Sequence, residues 1–116
     1  MRALIIEQEA LIACTIEDAL RGIGFTSFDF ACTVPDAVRA AERCCPDLIT
    51  SDVRLGAGTG LDAVQEICAA KAIPVVFVTA TAWEVRQRLE DAFVVQKPFG
   101  SRDLQLAVEA ARAASH

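Results

Sequence analysis

Polar side chains close four short apolar runs in this sequence, and their types are those that phosphoryl chemistry calls for. Ala3-Leu-Ile-Ile6 ends in Glu7-Gln8-Glu9, Leu48-Ile-Thr-Ser51 in Asp52, Pro74-Val-Val-Phe-Val78 in Thr79, and Phe93-Val-Val95 is followed closely by Lys97-Pro98. A carboxylate can attack a phosphoryl group and form an acyl phosphate, provided the charge on the phosphoryl oxygens is neutralised and the group is oriented. Carboxylates around Asp52 can hold a hard Mg2+ ion through oxygen ligands, the Thr79 hydroxyl can hydrogen-bond a phosphoryl oxygen, and Lys97 supplies a compact positive charge. Taken singly, each residue has a plainer explanation. An Asp or Thr at a strand end commonly caps a helix or lies in a solvated loop, a lone Lys pairs with an adjacent acid, and Glu7 and Glu9 suit the first turn of a following helix. Recurrence at four run ends favours one shared site.

Such a site needs a scaffold that brings the run ends together. Ala3–Ile6 reads as a buried strand, and Leu11 to Leu20 places Ile12, Ile16, Ala19 and Leu20 at helical spacing until Gly22 and Gly24 stop it. Thr26–Ala31 is rich in strand formers, and Thr33-Val-Pro-Asp36 has the form of a capping box with proline in the first turn of a helix running to about Cys44. Leu48–Ser51 is a third strand. The loop Gly56-Ala-Gly-Thr-Gly60 precedes a helix with Leu61, Val64, Ile67 and Cys68 on one face. Pro74–Val78 is the fourth strand, Trp83, Val85 and Leu89 suggest a short helix, and Phe93–Val95 is the fifth strand. After Gly100-Ser101, a last helix aligns Leu104, Ala107, Val108 and Ala111. Strands alternating with helices imply right-handed crossovers and parallel pairing, hence an α/β doubly wound five-stranded parallel sheet with helices on both faces. In such sheets the functional crevice opens beyond the carboxyl ends of the strands, where all four polar groups fall. No linker or repeat divides the chain, so residues 1–116 are expected to form one domain.

Composition narrows the class further. With 53% hydrophobic and 23% charged residues the chain is too apolar for disorder. Its longest apolar stretch, Ala72 to Trp83, is broken by Pro74 and Thr79 and falls short of the ~20 residues that cross a bilayer. No membrane association is expected, and without a secretory signal the cytoplasm is the expected compartment. The net charge is −5 and no Lys/Arg stripe exists, so direct nucleic-acid binding is not expected. Five cysteines without C-x-x-C spacing, and a single histidine at His116, argue against zinc. Cys14, Cys32, Cys44, Cys45 and Cys68 are expected to be small buried hydrophobes, the vicinal pair Cys44-Cys45 being reactive if exposed.

The runs Pro46-Asp-Leu-Ile-Thr-Ser-Asp52-Val-Arg-Leu55, Gly60-Leu-Asp-Ala-Val64, Pro74-Val-Val-Phe-Val-Thr79-Ala80 and Lys97-Pro98-Phe99 together resemble the receiver domain of bacterial two-component response regulators. The resemblance spans essentially the whole chain. It implies the flavodoxin-like receiver fold with strand order 2-1-3-4-5. It also implies Asp52 as phosphoacceptor, Thr79 as switch hydroxyl and Lys97 as the phosphoryl-binding ammonium. Mg2+ would be held by Glu7, Gln8, Asp52 and the main-chain carbonyl of Arg54. Small Ala80 would leave the phosphoryl group accessible. The implied partners are a sensor histidine kinase or a histidine phosphotransfer protein, with a downstream protein contacted in trans.

Three departures from the receiver pattern bear on function. The second acidic position after the first strand is Gln8, which removes one formal charge from the cation site and should weaken Mg2+ binding. Val94 stands where many receivers place an aromatic switch, and the chain has no tyrosine. The Thr79–Lys97 segment is short, leaving a short or mobile fourth helix. Here the chain is similar to the divergent receivers of alphaproteobacterial general-stress regulators, and implies signalling through reordering of that helix. Two readings follow: a receiver that accepts phosphate and signals in trans or acts as a phosphate sink, and a pseudo-receiver that binds a partner without phosphate. A haloacid-dehalogenase-type enzyme would place an Asp at position 54, which is Arg54. A flavodoxin-like flavin carrier would not place Glu7 and Glu9 beside a phosphate.

Overall fold

The computed structural model describes residues 1–55 and 58–114, so Gly56 and Ala57 of the expected glycine loop, and His116, lie outside the described residues. In chain order the elements are β1 (Arg2–Ile6), α1 (Ala10–Arg21), β2 (Ser27–Ala31), α2 (Val34–Arg43), β3 (Leu48–Ser51), β4 (Arg54–Leu55), β5 (Gly58–Thr59), α3 (Gly60–Cys68), β6 (Val75–Thr79), α4 (Ala82–Arg88), β7 (Phe93–Gln96) and α5 (Ser101–Ala114). The main sheet is parallel throughout with order β2-β1-β3-β6-β7, the expected 2-1-3-4-5 arrangement. No described helix is long and apolar enough to cross a membrane.

Period-two alternation along the strands splits their side chains between two cores. Leu4, Ile6, Ile49 and Phe77 meet Ala37, Ala40, Val64, Ile67 and Val85 on the side of α2, α3 and α4. Ala3, Ile5, Leu48, Val76 and Val78 meet Ile16, Leu20, Leu104 and Val108 on the side of α1 and α5. Because both faces are covered, β1 and β6 read as nearly unbroken apolar runs, the pattern that marks the inside of a parallel sheet. Thr33 caps α2 by accepting the Asp36 amide at 3.2 Å, while the Asp36 carboxylate pairs with Arg39. Thr50 is the exception inside the sheet: fully buried, its hydroxyl has no hydrogen-bond partner.

Four expectations need correction. The segment after Asp52 is not all loop, because Arg54–Leu55 pairs antiparallel with Gly58–Thr59, giving a two-residue hairpin beside the five strands. Gly60 opens α3, whose cap is Thr59 accepting the Asp62 amide at 3.1 Å. The cysteines are not core residues: Cys14, Cys32, Cys44 and Cys45 are exposed and Cys68 is half-buried. The core-facing positions of α1 are already taken by Ala13, Ile16, Ala19 and Leu20, and Cys44-Cys45 follows the end of α2. In α4 the inward residues are Ala82 and Val85, whereas Trp83 is 61% exposed and Leu89 44%, because a helix this short turns only one stripe to the sheet. Val94 packs partly into the core, while Leu106 on α5 is exposed.

Candidate functional site

The sheet ladder itself delivers the site residues: Glu7, Asp52 and Lys97 stand one residue past the carboxyl ends of their strands, and Thr79 is the last residue of β6. The Glu7 amide donates to the Ala31 carbonyl at 2.9 Å, the Asp52 amide to Ile6 at 3.0 Å, and the Lys97 amide to Thr79 at 2.8 Å. Every one of these bonds continues the parallel pairing by one residue, so the side chains inherit the rigidity of the strands. The Lys97–Pro98 peptide bond is cis. Behind Asp52 the packing leaves no room. A Cβ on Gly60 would collide with the Asp52 carbonyl oxygen and with Ser51 Oγ, so glycine alone lets α3 start against the end of β3.

At the centre lies Lys97. Its Nζ donates to Glu7 Oε1 at 2.9 Å and to Asp52 Oδ2 at 3.0 Å, with side-chain exposures of 14% for Lys97, 1% for Glu7 and 15% for Asp52. Such low exposure makes these charge-assisted bonds stronger than surface ion pairs. Burial by itself would lower the Lys97 pKa, but its bonds to Glu7 and Asp52 together outweigh that penalty and hold it above the ordinary lysine value. Lys97 does pair with acids, as a lone lysine would, but with two that come from other strands. Glu7 Oε2 also accepts the Glu9 amide at 3.1 Å, so both of its oxygens are engaged. Glu7, expected among the Mg2+ ligands, thus has one oxygen on Lys97 and the other on the backbone ahead of α1.

A cleft of about 240 Å³ opens over these groups, lined by Gln8, Glu9, Asp52, Arg54, Thr79, Ala80, Thr81 and Lys97. Thr79 is buried, and its hydroxyl accepts the Thr81 amide at 3.2 Å and lies 3.3 Å from the Thr81 hydroxyl. Asp52 Oδ1 has only a long contact, 3.4 Å, from the Arg54 amide. Among the described residues no cluster of three or more acids, histidines or thiols is arranged to hold a metal. Among the residues that line the cleft, oxygen donors are available from Asp52, whose Oδ1 has only that long contact, from exposed Gln8 and from Arg54. Hard cations accept that donor chemistry, though with less charge than an all-carboxylate site would offer.

The sequence reading missed Thr81 and also Gln96. Gln96 Oε1 accepts the Ala82 amide at 3.0 Å, and its Nε2 donates to the carbonyls of Ala80 and, at 3.2 Å, Lys97. The Thr81 side chain forms no cap on α4, so an amide from β7 does that work. Nothing in a lone Gln between a strand and a lysine signals this, because the bonds depend on β6 and β7 being neighbours.

The response regulator receiver domain family matches residues 3–109, which takes in all but the first residue of β1, every other described strand and most of α5. The chain is a response regulator receiver domain. As a receiver it is a phosphoacceptor signalling module of two-component signal transduction rather than an enzyme. Receiver domains work with histidine kinases and typically bind Mg2+. This receiver is 37% identical over 112 residues to the phyllosphere-induced regulator PhyR of Methylorubrum extorquens, covering 93% of the chain but 42% of that protein. The solution structure of the PhyR receiver domain of Erythrobacter litoralis superposes with a TM-score of 0.87 at 32% identity, covering 95% of this chain and 88% of that one. These matches bear out the likeness to general-stress regulator receivers. The receiver domain of sensor histidine kinase PA1611 of Pseudomonas aeruginosa, which holds a magnesium ion in its active-site cleft, matches with a TM-score of 0.81 at 28% identity over 97% of both chains.

Proposed function

We propose that residues 1–116 act as a phosphoacceptor unit whose nucleophile is Asp52, loaded from a phosphohistidine on a sensor kinase or a histidine phosphotransfer protein. An Asp52 oxygen attacks phosphorus, the P–O bond forms as the P–N bond to imidazole breaks, and the imidazole leaves with the bonding electron pair. Lys97, already bonded to Asp52, follows the charge onto the new phosphoryl oxygens, and the Thr79 hydroxyl turns from Thr81 to donate to one of them. A bound Mg2+ supplies further neutralisation of those oxygens. Asp52, Gln8 and the Arg54 carbonyl would hold it, with Glu7 acting through the field it shares with Lys97. The output is a downstream protein contacted in trans, or simple removal of phosphate from a relay.

The observation that carries this reading is the Lys97 ammonium shared between Glu7 and Asp52 at 2.9 and 3.0 Å, at the floor of a cleft open to a donor. Gln8 favours a second reading, in which a weakened cation site leaves a phosphate-independent binding module. Acetyl phosphate with graded Mg2+, followed by intact-mass spectrometry, separates the two. The first reading expects one added phosphoryl group on the wild type and none on Asp52→Asn. Wild type that stays unmodified at saturating Mg2+ overturns it.

A further inference from the structure

The first turn of α4 is tied to the neighbours of all three phosphoryl-site residues. Gln96, next to Lys97, caps the Ala82 amide. Thr81 is bonded to the Thr79 hydroxyl and donates its own hydroxyl to Glu84 Oε2 at 3.1 Å. Arg54, two residues after Asp52, reaches across the cleft mouth and places Nη2 at 3.3 Å from the same Glu84 oxygen. One carboxylate oxygen therefore gathers the hydroxyl of Thr81 and the guanidinium of Arg54, both of which line the cleft over Asp52.

We infer that Glu84 is a positioning residue that stands in for the phosphoryl anion in the unphosphorylated receiver. It holds the Arg54 guanidinium and, through Thr81, the Thr79 hydroxyl, until an anion on Asp52 competes for both. The inference rests on the phosphoacceptor reading of Asp52. Its physical basis is valence: with the Thr81 hydroxyl hydrogen given to Glu84, the 3.3 Å contact between the two threonine hydroxyls has Thr79 as its donor, and turning that hydrogen to a phosphoryl oxygen breaks the contact. The guanidinium, 74% exposed, is held weakly enough to be won by a dianion. Losing the guanidinium, and the Thr79 hydrogen that anchors the Thr81 hydroxyl, leaves Glu84 with Thr81 as its one remaining partner of the two and cuts the ties from Arg54 and Thr79 to the first turn of α4, so that Gln96 is the one still anchored in the sheet. Arrival of the anion would then be converted into loosening of α4, with no aromatic side chain involved.

The test compares wild type with Glu84→Gln, using beryllofluoride with Mg2+ as the probe, and Glu84→Asp as the conservative variant. Removing the competing charge should tighten apparent beryllofluoride binding by roughly three- to tenfold, with wild-type affinity approached again in Glu84→Asp. The gain should shrink as ionic strength rises, since the pair is solvent-exposed. Without the probe, amide exchange across residues 81–88 should already be faster in Glu84→Gln than in wild type. Thr81→Val, which cuts the relay and leaves Glu84 in place, should loosen the same amides if Glu84→Gln fails to fold. A Glu84→Gln variant that loosens α4 but binds the probe no better than wild type has lost only a structural contact, and the inference falls. If neither wild type nor variant responds to beryllofluoride, the phosphoacceptor reading falls and takes this one with it.

Discussion

Replacing Gln8 by Glu changes one formal charge at constant side-chain length, and so isolates the departure that most affects cation binding. Gln8 is exposed and lines an open cleft with Asp52, so water, not protein interior, sets the effective dielectric there. At ~4 Å in water a unit charge pair is worth about 1 kcal/mol, and a divalent ion doubles this to about 2 kcal/mol. That is a ~30-fold gain at most, and the lost amide-carbonyl contact brings the expected tightening of Mg2+ to roughly ten- to thirtyfold. Titration of Mg2+ at fixed ionic strength, followed through the amide resonances of Asp52, Val53 and Arg54, gives the constant directly. The rate of modification by acetyl phosphate at sub-saturating Mg2+ should rise in proportion, and at saturating Mg2+ the two proteins should converge. An affinity within twofold of wild type in a folded variant would show that position 8 does not face the ion, and the account of the weakened site would be wrong.

Gly60→Ala drives a methyl group into the Asp52 carbonyl and Ser51 Oγ, so despite the ~1 kcal/mol that Ala gains over Gly in a helix it should destabilise by about 1–3 kcal/mol in urea unfolding and slow modification of Asp52. Unaltered stability would mean that β3 and α3 shift apart freely. Thr50→Val removes a buried hydroxyl that has no partner and keeps the shape, so the urea midpoint should rise by the equivalent of about 1 kcal/mol at unchanged slope; a lower midpoint would reveal a bond to that hydroxyl. The Lys97 pKa is raised in the folded chain, so the stability its cluster confers is fully present below the unfolded lysine value and is lost as pH climbs through the higher folded one. Stability of wild type should therefore fall on titration above about pH 10, and Lys97→Met should flatten that limb of the profile. An identical alkaline limb in both proteins would contradict the assignment.

The architecture was readable because strands buried on both faces of a parallel sheet are rich in apolar residues, and α1, α3 and α5 each present an apolar stripe at helical spacing. Capping by Thr33 was legible for a similar reason, since a side chain three residues from its target amide is a local matter. The candidate site was half legible. Glu7, Asp52, Thr79 and Lys97 could be placed at one edge from their positions after four runs, because parallel strands put all their carboxyl ends together.

Long-range geometry decided the rest. That Lys97 bonds two acids 90 and 45 residues away depends on β1 pairing with β3 and on β6 holding β7 in register with β3. The hairpin of Arg54–Leu55 with Gly58–Thr59 is too short to have a period, and the outward cysteines reflect which stripe of each helix the sheet had already claimed. Gln96 and Glu84 are ordinary polar residues until β7 lies beside β6 and α4 brings Glu84 to Arg54. The sequence thus determined which groups stand at the carboxyl edge, since burial and alternation are properties of neighbouring residues. Only the tertiary structure decided which of those groups share a proton donor, because a hydrogen bond is settled within a few tenths of an ångström and no spacing along the chain records that distance.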